Sequence, residues 1–110
     1  MKFTSSINKN RQFKWMYRRA SQQTGRFLIM YYVKNRLSVN RLGITVSKKV
    51  GKAVVRNRIR RLIKENYTLF EPRLKLGYDL IFVSRMVSRD AGFYDVKKAM
   101  EILFKQAGMI

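Results

Sequence analysis

Residues 48–64, KKVGKAVVRNRIRRLIK, lay a helical apolar stripe along a dense run of lysines and arginines. Val55, Ile59, Leu62 and Ile63 recur at i, i+4, i+7 and i+8, which on a helix puts them along one side, facing a core. Asn57, Arg60, Arg61 and Lys64 then cluster on the opposite side, with Arg56 and Arg58 on its flanks. Like charges packed that closely repel one another unless anions compensate. Taken alone, such a helix is as readily a solvated face as a binding site, but if it binds, the partner is a polyanion. It should begin near Lys52 or Ala53, just past Gly51, and end around Phe70, because Pro72 cannot continue it and disfavours helical backbone at Glu71.

The rest of the chain reads as helices and strands around that element. Residues 8–20 predict a first helix, with Phe13, Met16, Tyr17 and Ala20 at i, i+3, i+4 and i+7 and Asn8 as its cap. Residues 21–25 are polar and end in glycine, as a loop does. Residues 26–34, RFLIMYYVK, are rich in strand formers. They place Phe27, Ile29, Tyr31 and Val33 on one face and Leu28, Met30 and Tyr32 on the other. Such a strand is either covered on both sides or leaves one face for a ligand, and either face can be the core. After a polar connection at 35–40, a strand at 41–49 alternates Leu42, Ile44 and Val46 with Gly43, Thr45 and Ser47, and the two strands read as an antiparallel hairpin. A third clear strand covers 78–85. A last helix spans about 92–107, its stripe being Phe93, Val96, Met100, Leu103, Phe104 and Ala107. The order α-β-β(-β)-α-β-α predicts an α+β fold, a small mixed sheet with helices packed on it, as one domain over residues 1–110.

Composition narrows the chemistry. Twenty-five lysines and arginines stand against six acids, a formal charge of +19 that favours association with polyanions. No run of about 18 apolar residues is present to span a bilayer. The opening MKFTSSINKNRQF lacks the apolar region of a signal peptide, and cysteine is absent, so a reducing, cytoplasmic setting is expected. Histidine is absent as well, which excludes imidazole bases, Ser-His and Cys-His pairs and histidine-ligated metals. The acids Glu65, Glu71, Asp79, Asp90, Asp95 and Glu101 are scattered and form no D-x-D or E-x-x-E pair. They read as helix caps and surface ion pairs, with Asp90 or Asp95 near the start of the last helix. No catalytic residue and no metal ligand is expected, so any part in catalysis is one of positioning other molecules.

The stretch Val50-Gly-Lys-Ala-Val-Val-Arg56-Asn57-Arg58-Ile-Arg-Arg61-Leu-Ile-Lys64 closely resembles the signature of the protein subunit of bacterial ribonuclease P. It has the alanine three residues before Arg-Asn-Arg, the apolar residue after it, the second arginine at 61 and the basic residue at 64. The preceding Leu42-Gly-Ile-Thr-Val-Ser47-Lys48-Lys49 and the order of elements over nearly the whole chain agree with that family. The resemblance implies a left-handed βαβ crossover, against the usual preference. It also implies a cleft between the sheet and the first helix for the single-stranded 5′ leader of precursor tRNA, at Lys9, Phe13, Tyr17, Ile29 and Tyr31. The arginine-rich helix, through Arg56, Asn57, Arg58, Arg60, Arg61 and Lys64 with Lys48 and Lys49 before it, would face the catalytic RNA subunit, one protein to one RNA. In that family the RNA carries the active site and uses Mg²⁺ to activate water for removal of the leader.

The chemistry of the two groups agrees with that division. Aromatic faces stack on unpaired bases with little sequence preference, at about 1–3 kcal/mol per base, while lysine holds phosphate. Arginine forks match phosphate oxygens, and each neutralised phosphate releases counterions. Tyr17 stands where the family often has phenylalanine and keeps a stacking face. Read without the resemblance, Phe13 and Tyr17 are core residues by default, Trp15 is peripheral packing, and a noncatalytic ribosomal or general RNA-binding protein would share the charge, the size and the fold class.

Overall fold

The computed structural model describes residues 1–110. The chain runs β1 (Thr4–Ser6), α1 (Asn10–Arg19), β2 (Ser21–Thr24), β3 (Leu28–Lys34), β4 (Asn40–Thr45), α2 (Ala53–Phe70), β5 (Tyr78–Ser84) and α3 (Phe93–Gln106). Short 3-10 turns at Lys48–Val50, Glu71–Arg73 and Met86–Asp90 connect the later elements.

One five-stranded sheet results, in the order β1-β4-β5-β3-β2. Its middle is taken by β5, whose run Leu80, Ile81 and Phe82 is apolar on both faces and fully buried, the pattern a central strand requires. β4 lies parallel to β5, and β3 antiparallel to it with Tyr31 opposite Ile81. The expected hairpin between the strands at 26–34 and 41–49 is therefore not formed: β5 separates them. The reason is burial, since a pairing of β3 with β4 would push the most apolar strand to an edge.

The edge strands were not anticipated. β2 occupies the polar stretch read as a loop and pairs antiparallel with β3. β1 is three residues long and pairs parallel with β4. Both are polar and mostly exposed, so neither carries the apolar alternation by which a strand is recognised, and the element order gains a strand at each place. Asn8 does not cap α1: the N-cap is Lys9, with no side-chain hydrogen bond. The predicted span of α2 agrees with its observed one, and at α3 the Asp95 carboxylate accepts the Gly92 N–H at 2.9 Å, as expected of an acid at a helix start.

The two faces of the sheet are covered unequally. α2 and α3 bury 21 residues against one face, including Leu28, Met30, Leu42, Phe82, Ile59, Ile63 and Phe104. α1 covers the other face with a cluster of only three fully enclosed residues, Ile7, Met16 and Ile81. Leu28 and Met30 thus belong to the core, and Ile29, Tyr31 and Val33 turn to the thinly covered side, half-buried.

Two carboxylates are interior rather than on the surface. Glu71 is buried at the end of α2 and accepts hydrogen bonds from the Lys2 N–H (2.8 Å), the Phe3 N–H (3.3 Å) and Thr4 Oγ1 (2.5 Å), fastening β1. Burial by itself would raise its pKa, but Thr4, the two backbone N–H groups and the chain's amino terminus together hold it below the ordinary value. A carboxylate with a lowered folded pKa contributes stability that is fully present above its unfolded pKa and lost as pH falls through the folded one. The clamp on β1 is accordingly expected to start weakening only below about pH 4.5, the ordinary glutamate value, and to be lost as pH falls through the lower folded one. The protection of the Thr4–Ser6 amides, taken relative to their intrinsic exchange rates, should fall there ahead of that of β5, and Glu71→Gln should remove that pH dependence.

Candidate nucleic-acid interfaces

On the thinly covered face, α1 crosses the sheet and leaves an aromatic cleft beside it. Phe13 lies directly on Gly43: a Cβ at that position would sit 2.8 Å from Phe13 Cζ and 3.3 Å from Ile81 Cγ1. The close approach is available only because β4 lacks a side chain there. One turn later, the Tyr17 hydroxyl pairs with Thr45 Oγ1 at 2.8 Å, and the Tyr17 ring meets Tyr31 edge-on with centroids 5.1 Å apart. Phe13 and Tyr17 are themselves 6.3 Å apart and tilted. Ile29 faces the same side from β3, two residues from Tyr31, with Val83 of β5 paired beside it. Tyr17 is 39% exposed. Four of the five residues assigned to this group are thereby gathered on one half-open apolar surface, and Lys9 stands exposed one turn before Phe13.

Thr45, Val83 and Gly43 were absent from that group. Gly43 had a sequence signal, since glycine inside an alternating strand marks close backbone approach. Thr45 and Val83 had none, because their part depends on how α1 crosses the sheet.

The basic group lies on the outer side of α2, across the sheet from the cleft. Ile59, Leu62 and Ile63 are buried and Val55 is half-buried against the same core, which turns Asn57, Arg61 and Lys64 to solvent. Lys48 and Lys49 are exposed on the turn that Val50, fully buried, pins to the core. The first turn of α2 contains no acid, and its N-cap Lys52 makes no side-chain hydrogen bond. The positive end of the helix dipole is thus reinforced by cations rather than offset, a local field that favours anions.

The arginines are held to different degrees. Arg56 Nε donates to the Gly51 carbonyl at 3.2 Å, and Arg60 reaches Asn57 Oδ1 at 3.4 Å. Arg61 has only the exposed Glu65 at 3.8 Å, a pairing of little energetic weight. Arg58 is half-buried and donates to the Ala91 carbonyl, so part of its role is to tie α2 to the turn before α3.

A buried acid meets a half-buried base on the same face of the sheet, on the flank of α1 away from Phe13 and Tyr17. Asp79 of β5 accepts Arg41 Nε (2.7 Å) and the Arg41 terminal nitrogen (2.5 Å) in a two-pronged pair, with Asn35 Nδ2 at 2.9 Å. Those bonds raise the Arg41 pKa above its already high value, burial opposing. No three acids converge to form a metal-ligand group, and no helix is long and apolar enough to cross a membrane.

Comparison with known proteins places this geometry among relatives. The profile of the family described as Ribonuclease P matches residues 1–108. The chain is 47% identical over 106 residues to a ribonuclease P protein component of Clostridium botulinum strain Langeland, covering 96% of each sequence. It is 42% identical over 104 residues to that of Clostridioides difficile, covering 94% of this chain and 91% of the relative. Among solved structures, the RNase P protein of Staphylococcus aureus superposes with a TM-score of 0.87 at 32% identity, over 94% of this chain and 95% of that one. The fold is also that of the Thermotoga maritima protein, with a TM-score of 0.85 at 23% identity over 93% and 96% of the two chains.

Proposed function

Since the chain belongs to the family of ribonuclease P protein components, subunits of the endoribonuclease that matures the tRNA 5′ end, we propose a division of labour between the two faces of its sheet. The outer side of α2 binds the catalytic RNA, and the α1 cleft takes the single-stranded 5′ leader of precursor tRNA. The observation that carries this reading is the separation itself. An aromatic, half-open surface suited to unpaired bases and a cationic helix suited to a folded phosphate backbone lie back to back. One chain can therefore hold two RNAs together, one protein to each RNA subunit, and reduce the repulsion between them.

Hydrolysis we assign to the RNA. With no histidine or cysteine and no convergent acids, the donor set does not fit a metal held by this chain, so the Mg²⁺ of the reaction belongs with RNA phosphates. The protein's contribution is to bind, orient and screen charge.

Reconstitution tests the reading. At low Mg²⁺, the protein mixed with a ribonuclease P RNA is expected to restore 5′ cleavage of precursor tRNA that neither component performs alone. Cleavage by the protein without RNA, or no rescue of the RNA, would sink it, the latter in favour of a ribosomal type of RNA-binding protein. Within the same assembly, Arg61→Ala should reduce the slope of log affinity against log salt by about one. An unchanged slope removes Arg61 from the phosphate contacts.

A further inference from the structure

The flank of α1 away from Phe13 and Tyr17 bounds a second recess of about 420 Å³. That volume lies within the range of about 300–1,000 Å³ typical of small-ligand sites. Arg11 and Trp15, one helical turn apart, line it from α1, Val33 and Lys34 from the end of β3, and the Arg41–Asp79 pair from the sheet below.

Its chemistry is specific in three respects. Trp15 is 48% exposed and stacks on no other aromatic ring, so an indole face is free at the opening. Arg11 and Lys34 are in no ion pair, so two cations face the recess uncompensated. The single carboxylate there is spent: both oxygens of Asp79 accept Arg41, and one also accepts Asn35. An anion entering the recess therefore meets two free cations and no free negative charge, over a floor held by three hydrogen bonds.

A free aromatic face beside unpaired cations is the combination that binds a nucleobase together with its phosphate. We propose that this recess holds one unpaired nucleotide of an RNA strand, its base stacked on Trp15 and its phosphate held by Arg11 and Lys34. This rests on the reading of RNA as the partner but not on the cleft, from which α1 separates it. The nucleotide can come from the precursor's leader beyond the cleft or from an unpaired position of the catalytic RNA.

Trp15 is the only tryptophan of the chain, so its fluorescence reports this recess directly. The full-length protein is titrated with precursor tRNA carrying a long leader, with mature tRNA, and with ribonuclease P RNA alone, while anisotropy of an end label follows binding independently. Saturable quenching of Trp15 is expected with at least one RNA. Quenching by the leader-bearing tRNA but not by mature tRNA assigns the nucleotide to the leader, and quenching by the ribonuclease P RNA assigns it to the ribozyme. The double variant Arg11→Ala, Lys34→Ala should abolish the quenching, and Trp15→Ala should weaken binding of the quenching RNA about tenfold, with Trp15→Phe largely restoring it. The proposal is overturned if anisotropy shows saturation while Trp15 emission stays constant with every RNA, or if the double variant quenches like the parent. Leader-dependent anisotropy without quenching would keep the cleft and discard the recess.

Discussion

Arg41→Ala is expected to destabilise the fold by about 2–3 kcal/mol, because it strands the Asp79 carboxylate, whose side chain is 11% exposed, without its cation. The Arg41 side chain is 31% exposed, which keeps the expected loss below that for breaking a fully buried pair. Asn35 would retain one hydrogen bond to Asp79, which is too little to compensate a full charge. The effect should appear as a lower urea midpoint at unchanged slope. Removing the charge together with its partner is less harmful, so Arg41→Met combined with Asp79→Leu should recover much of the loss. A single-variant loss within about 0.5 kcal/mol, the range of an ordinary surface change, would show that the pair is no more than a surface contact.

The second large effect concerns the cleft. Gly43→Val should expel the Phe13 ring, which lies within 2.9 Å of where even the first added carbon would go. Ile81 Cγ1, only 3.3 Å from the same point, crowds the position further. Overpacking of this kind costs about 1–3 kcal/mol in stability. Its functional signature should be selective: affinity for precursor tRNA with a leader falls, and affinity for mature tRNA does not. Phe13→Ala should show the same selectivity without the overpacking, with a loss of about tenfold or more if the ring stacks on a base. Equal losses for tRNA with and without a leader would contradict a leader cleft for both variants.

Much of this molecule is legible from residue spacing. The stripe Val55, Ile59, Leu62 and Ile63 located α2 and the direction of its charged side, because burial on a helix repeats with the helical period and needs no knowledge of the partner. The last helix was legible for the same reason, and the strand at 78–85 from its consecutive apolar strand formers, which are buried on both faces. The edge strands β1 and β2 were not, since their order comes from hydrogen bonds to β4 and β3 and from the Glu71 clamp rather than from apolar pattern. The strand order was not legible either. Neighbours in sequence suggested a hairpin, and competition for the buried centre of the sheet gave that place to β5.

The sequence by itself determined the charge, the exclusion of histidine and cysteine chemistry, the helix that carries the basic side chains, and the motif that resembles one family. Those properties are local or compositional, so they survive without coordinates. Only the tertiary structure decided which face of β3 is core, that Phe13 rests on a glycine of a distant strand, and that Asp79 is a buried partner of Arg41. It also decided that the aromatic and the basic groups stand on opposite faces of one sheet. Each of these depends on contacts between segments far apart in the chain, which side-chain burial and strand competition select together and no single stretch encodes.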